Sequence, residues 1–281
     1  MLILIDNRIT DVEPLRGLTN LRDLYIENNF IVDHSPLDQL TLDNFTYDQT
    51  CDVLPEPLEP RLKNRSFPSI FASFNTKIVN KWDTLLASHD SYWDARIAEG
   101  AHHDIFFSNG PIFEDQFRRI DGEWHMRGHI PSAIERRDHY HSLNPNMIFI
   151  CEIKYRGGVR FINFENPDVQ DIAARWEDVW GPRIDFTHPE IQDIIVSQAL
   201  AIERCGLYDG IFFDWWNDYT STVGDLATVE EAQRARDNIV RRIREKARPD
   251  FLIVGNTNDR IIPLTGEHMN GAYMEGAAGG G

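Results

Sequence analysis

The first forty residues contain one pattern twice, at an offset of 22 residues. Leu2, Leu4, Asn7, Ile9, Asp11, Pro14, Leu15 and Leu18 recur as Leu24, Ile26, Asn29, Ile31, Asp33, Pro36, Leu37 and Leu40. A period this short constrains the fold strongly, because one unit cannot bury its own apolar side chains and must stack on its neighbour. Each unit predicts a short strand, an Asn that bonds the turning backbone, and a return arm whose leucines fill the coil interior. A degenerate third turn follows, in which Leu42, Phe45 and Tyr47 take the places of Leu21, Leu24 and Ile26 at an offset of 21.

The pattern L-x-L-x-x-N-x-I-x-D-x-x-P-L resembles the leucine-rich repeat. Residues 1–54 are therefore expected to be the end of such an array with its cap. Two and a half coils fall short of the roughly three that such arrays need. The array is expected to be clipped at its N-terminus or held by the next domain. A spacer or cap role is favoured, with a protein-binding surface as the alternative. Residues 55–68 carry four prolines and few apolar side chains, which predicts a stiff linker and a domain boundary.

From residue 69 the character changes. Short apolar runs lie at 69–74, 104–108, 147–153, 210–214, 251–255 and 271–275. Helical patterns separate several of them. One starts at Pro189, carries Ile191, Ile194, Ile195, Ile202 and Cys205 on one face, and stops at Gly206. Another starts at the capping box Thr228-Val-Glu-Glu231. Alternating strands and helices imply a parallel sheet covered by helices. Acids at the strand ends and the lack of a glycine-rich phosphate loop favour an α/β fold of the (β/α)8 TIM-barrel type over a doubly wound sheet. Six strands are visible where closure needs eight, so 69–281 is expected to be an incomplete barrel, truncated at its C-terminus.

The chemistry is expected at the C-terminal strand tips. In YDGIFFDWWNDY, an apolar run ends in Asp214 and is followed at once by Trp215 and Trp216. Asp214 and Glu275 directly end apolar strands and are the candidate catalytic pair. Two carboxyls flanking a glycosidic bond can cleave it, and indole rings stack on sugar faces. Trp215 and Trp216 are expected to divide, one on substrate and one in the core. Asn217, Lys154, Glu152 and Asn256 are the further candidates for substrate binding. For Lys154 an ion pair at the barrel mouth is an equal alternative, and for Asn256 a turn role.

Other chemistries are disfavoured. A formal net charge of −17 argues against nucleic acid or an anionic membrane surface as partner. No apolar stretch is long enough to span a bilayer. His139 and His141 have H-x-H spacing but lie in a polar stretch, not at a strand end, and no H-E-x-x-H occurs, so no metal or other cofactor is expected. Cys51, Cys151 and Cys205 are too few for a disulfide framework, and Cys151 and Cys205 read as buried thiols.

Four stretches in order carry a resemblance: WGPRIDFTHPEIQDII, YDGIFFDWW, FLIVGNTN and NGAYMEG. Together they resemble glycoside-hydrolase barrels distantly similar to the endo-α-1,4-polygalactosaminidases, over residues of roughly 170–276. Two tryptophans follow Asp214 where that family carries polar residues. The resemblance implies a retaining mechanism on a sugar polymer, with Asp214 as nucleophile and Glu275 as acid/base. The expected function is thus a glycosidase, with an extracellular or cell-surface location. The alternative is a non-catalytic surface protein that binds carbohydrate or protein through the repeats and a degenerate barrel.

Overall fold

The structure is a computed structural model. It describes residues 1–5, 7–27, 29, 31, 33–64, 70–72, 89–108, 112–113, 116–120, 122–153, 155–156, 176–178, 181–183, 185–217, 227–258 and 265–274.

Strands β1 (Leu2–Ile3), β2 (Asp23–Tyr25) and β3 (Asn44–Thr46) form a parallel ladder. Leu24 faces Leu2 on one side and Phe45 on the other, so the third turn does stack despite its aromatic substitutions. Leu24, Ile26, Ile31 and Leu37 are buried between the coils. Asn29 performs the turn role expected of it. Its Nδ2 donates to the carbonyls of Leu4, Ile26 and Glu27, and its Oδ1 accepts from the Ile9 N–H.

The chain leaves the repeats through β4 (Gln49–Thr50) and enters helix α1 (Leu58–Lys63). This helix lies within the segment expected to be a linker. Pro60 is tolerated because first-turn N–H groups have no intrahelical acceptor. After it come β5 (Phe71–Ala72), α2 (His89–Gly100), β6 (Ile105–Ser108) and a hairpin of β7 (Gln116–Ile120) and β8 (Glu123–Gly128). Then follow α3 (Ile130–Leu143), β9 (Ile148–Glu152), the short hairpin β10 (Trp176–Asp178) and β11 (Gly181–Arg183), and α4 (Pro189–Cys205). The chain continues with β12 (Gly210–Phe213), α5 (Val229–Lys246), β13 (Leu252–Asn256) and β14 (Gly271–Tyr273).

The six expected strands form one parallel sheet in the order β5-β6-β9-β12-β13-β14. Each strand neighbours the next in sequence, with no reversal of order. That is single winding, as in a β/α barrel, whereas a doubly wound sheet reverses at a switch point. One face carries Phe106, Phe149, Cys151, Ile211, Phe213 and Ile253 against the helices. The other carries Phe107, Ile148, Ile150, Phe212, Leu252 and Val254. The sheet curls around this second face. Phe71 of β5 and Tyr273 of β14, on its two outer strands, meet at 5.0 Å between ring centroids. The fold is an α/β half-barrel carrying a leucine-rich segment.

Several local readings are realised in detail. Gly206 ends α4 in the left-handed region, at φ 71°. A Cβ there would lie 1.7 Å from the Val53 carbonyl oxygen, so glycine also lets the segment after β4 pass. The Thr228–Glu231 capping box forms in both directions. Among the described residues, no helix is long and apolar enough to cross a membrane.

One expectation is corrected. Cys205 is not a free buried thiol: it is disulfide-bonded to Cys51. Nothing local reveals this pair, because 154 residues separate them. The bond belongs to a seam between the repeats and the barrel. β4 pairs with β8, the Cys51 N–H donates to the Met126 carbonyl, and the Val53 N–H donates to the Cys205 carbonyl. Buried Arg127 bonds the carbonyls of Ile31 and Asp48, both at 2.7 Å. On the N-terminal side of the sheet, Arg61 forks onto Asp209 and reaches the Met147 carbonyl, while Leu58 plugs the interior face.

Candidate active site

Strand alternation puts three polar residues at the C-terminal ends of neighbouring strands. Glu152 shares the interior face with Ile148 and Ile150, and Asn256 shares it with Leu252 and Val254. Each is the last residue of its strand, and β9 and β13 flank β12. Asp214 follows β12 directly, in step with Phe212 of the same face. Glu152 and Asn256 are buried, whereas Asp214 is partly open. The Asn256 Nδ2 donates to the Asp214 Oδ1 at 2.9 Å.

Asn256 ties this acid to both loops. Its carbonyl accepts from the Trp216 N–H at 2.6 Å, and its Oδ1 accepts from the Asn258 N–H at 3.0 Å. The Asn217 Nδ2 donates to the Asn258 Oδ1 at 3.1 Å. Asn217 is fully buried, so it braces the two loops.

The two tryptophans differ in burial. Trp216 is wholly buried, stacked on Phe213 at 4.5 Å, with its Nε1 donating to Thr265 Oγ1 at 3.2 Å. It is core and offers no ring face to a sugar. Trp215 is partly buried and sits at φ 55°, a left-handed conformation unusual for a bulky residue. The Arg156 guanidinium lies 4.5 Å from its ring centroid. Lys154 and Glu275 lie outside the described residues, as do Asp218 and Asp259.

Tyr155 was not singled out from sequence, although its neighbours in CEIKY were. Its buried hydroxyl donates to the Trp215 carbonyl at 2.6 Å. Burial pushes this hydroxyl above its ordinary range, against the pull of the Arg236 and Arg156 cations. It therefore stays protonated and acts as a donor. No group of three or more His, Cys, Asp or Glu among the described residues is placed to hold a metal ion.

Residues 1–42 match the family described as Leucine Rich repeats (2 copies). No curated protein matches the chain. Among solved structures, the chain is similar to the glycoside hydrolase domain of PelA from Pseudomonas aeruginosa, at 12% identity and a TM-score of 0.44. That match covers 64% of this chain and 62% of the other, so the chain spans about three fifths of that domain. Ega3 of Aspergillus fumigatus, solved with galactosamine, is similar at 12% identity and a TM-score of 0.39, over 60% and 59% of the two chains. An α-amylase of Geobacillus thermoleovorans is similar at 12% identity and a TM-score of 0.42, over 65% of this chain and 43% of the other.

Proposed function

We propose that the protein is a glycoside hydrolase acting on a carbohydrate polymer through two carboxyl groups. The observation that carries this reading is the bond from Asn256 to Asp214, with Glu152 ending the neighbouring strand, at the C-terminal ends of three adjacent parallel strands. That end of a β/α sheet is where such folds perform chemistry. In this reading an Asp214 oxygen attacks the anomeric carbon as the glycosidic bond breaks. Glu275 gives its proton to the leaving oxygen, then takes one from the water that displaces Asp214. Asn256 keeps Asp214 ionised and aimed, since a hydrogen bond to a carboxylate favours its charged form. Trp215 supplies the sugar-stacking ring, with Arg156 on one side of it. Glu152 and Lys154 bond substrate hydroxyls.

The Cys51–Cys205 disulfide supports an extracellular or cell-surface location, because such bonds persist where thiols are oxidised. The solvent side of the repeats, where Ile3 is exposed, is available to a protein partner.

The test is hydrolysis of a glycan panel that includes amino-sugar polymers. Wild type should release reducing ends, and Asp214→Asn should not. The amide oxygen still accepts from Asn256, so the variant should fold as wild type. Equal inertness of both proteins across the panel sinks the enzyme reading. Retained glycan affinity in Asp214→Asn, without product from either protein, identifies a carbohydrate-binding protein instead.

A further inference from the structure

The backbone at Trp215 is held by a buried hydroxyl on the helix-facing side of the sheet, that of Tyr155. Trp215 has φ 55°, which costs a bulky residue strain unless its surroundings enforce it. Its carbonyl receives two donors, the Tyr155 hydroxyl at 2.6 Å and the Asn217 N–H at 2.9 Å. The next N–H, of Trp216, is the one that reaches the Asn256 carbonyl. Tyr155 itself cannot swing away. Its ring is packed edge-on against Phe186 at 5.0 Å, Phe213 at 5.7 Å and Trp216 at 4.9 Å. Behind this aromatic group lies Arg236 of α5, buried, with its guanidinium 5.0 Å from the Phe186 ring centroid and 5.9 Å from that of Trp216.

We infer that Tyr155 is a positioning residue for Asp214: its hydroxyl locks the left-handed turn at Trp215, and that turn sets the contact of Asp214 with Asn256. The link is short. Asp214 precedes the locked residue, and Asn256 bonds both the Asp214 carboxylate and the Trp216 N–H. A turn released at the Trp215 carbonyl loses its hold on both bonds. The catalytic consequence rests on the glycosidase reading, but the geometric one does not.

The discriminating variant is Tyr155→Phe, which removes one oxygen and keeps the ring packing. Amide hydrogen exchange should accelerate about tenfold or more at Trp216 and Asn217, with the amides of α4 and α5 unchanged. The Asp214 carboxyl, followed by 13C NMR, should titrate at higher pH, as it should in Asn256→Leu. On a cleaved glycan, kcat should fall on the order of tenfold with KM little changed, since only alignment is lost. Wild-type exchange and titration in Tyr155→Phe overturn the inference, as does an unchanged kcat in an active enzyme. If wild type cleaves nothing while the variant still shifts exchange and titration, the glycosidase reading has failed and the positioning role stands.

Discussion

Cys51, one residue beyond β4, is covalently joined to Cys205, the last residue of α4, with the two Cα atoms 4.7 Å apart. The bond spans 154 residues and clamps the exit of the repeats to the barrel. Cross-linking a long loop removes conformational freedom from the unfolded chain, worth about 2–4 kcal/mol. The Cys51→Ser/Cys205→Ser double variant should therefore unfold at lower urea concentration, by that margin. Dithiothreitol should do the same to wild type and nothing further to the double variant. A double variant as stable as oxidised wild type would show the clamp to be redundant with the strand pairing beside it.

Asn256 offers a test of the acid's surroundings. Asn256→Leu removes the donor 2.9 Å from the Asp214 Oδ1. The ionised form then loses support, so its pKa rises. If the glycosidase reading holds, the acid limb of the kcat/KM profile should move to higher pH. An unmoved acid limb would assign that limb to another group.

The floor of the barrel depends on one buried ion pair. Arg61 and Asp209 have side chains only 8% exposed, and Asp209 also accepts from the Phe149 N–H. Arg61→Ala leaves a buried carboxylate unpaired and should cost about 3–5 kcal/mol in chemical denaturation. Adding Asp209→Asn removes the charge while keeping an acceptor, and should recover part of that loss. A double variant less stable than the single one would mean that packing, not charge, dominates here.

Two asparagines at equivalent repeat positions should behave unequally. Asn29 is buried and makes four bonds, two of them to the preceding coil. Asn7 is exposed and, among the described residues, bonds the carbonyls of Leu4 and Ile5. Asn29→Ala should cost about 1–3 kcal/mol through orphaned backbone groups, and Asn7→Ala within about 0.5 kcal/mol. Thermal unfolding of the two variants checks this directly, and equal losses would refute it.

The seam should weaken in mild acid. His34 packs on Tyr47 at 4.6 Å, and burial lowers its pKa, aided by the Arg127 cation and opposed by Asp33. Its neutral form is thus the one the folded state prefers. The sign is therefore that stability is fully present above the ordinary value of 6.5 and is lost as pH falls toward the lower folded value. Urea midpoints measured from pH 7.5 down to about 5 should decline in wild type and decline less in His34→Phe. Parallel declines in the two proteins would place the sensitivity elsewhere.

What could be read from the residues follows from how local each signal is. The repeat ladder was legible because Leu24 and its partners recur at a fixed period and need only their neighbours. The six sheet strands were legible because runs such as Gly210–Phe213 are buried on both faces, so every residue is apolar. The hairpin of β7 and β8 was not, since EWHMRG alternates over only two apolar residues, Trp124 and Met126, and gains its burial from β4 and α4. Helix α1 was hidden by prolines that suit its first turn as well as they suit a linker. At the site, Asp214 and Asn256 were visible as polar ends of apolar strands. Which tryptophan faces solvent was not, because the left-handed turn at Trp215 decides it and no residue type there announces it. Tyr155 acts through its hydroxyl on a backbone carbonyl sixty positions away, a contact that leaves no trace in local pattern.

The unreversed strand order also dictates a calendar for synthesis. Each sheet strand docks on the edge left by the strand before it, so the sheet can lengthen one strand at a time as the chain leaves the ribosome. The repeats, made first, must wait. Arg127 and β8 emerge before the third strand, β9, but Cys205, the covalent anchor, emerges only just before the fourth of the six strands, β12. The seam therefore closes in stages, and a chain that stalls after β9 can pair β4 with β8 while Cys51 is still a thiol.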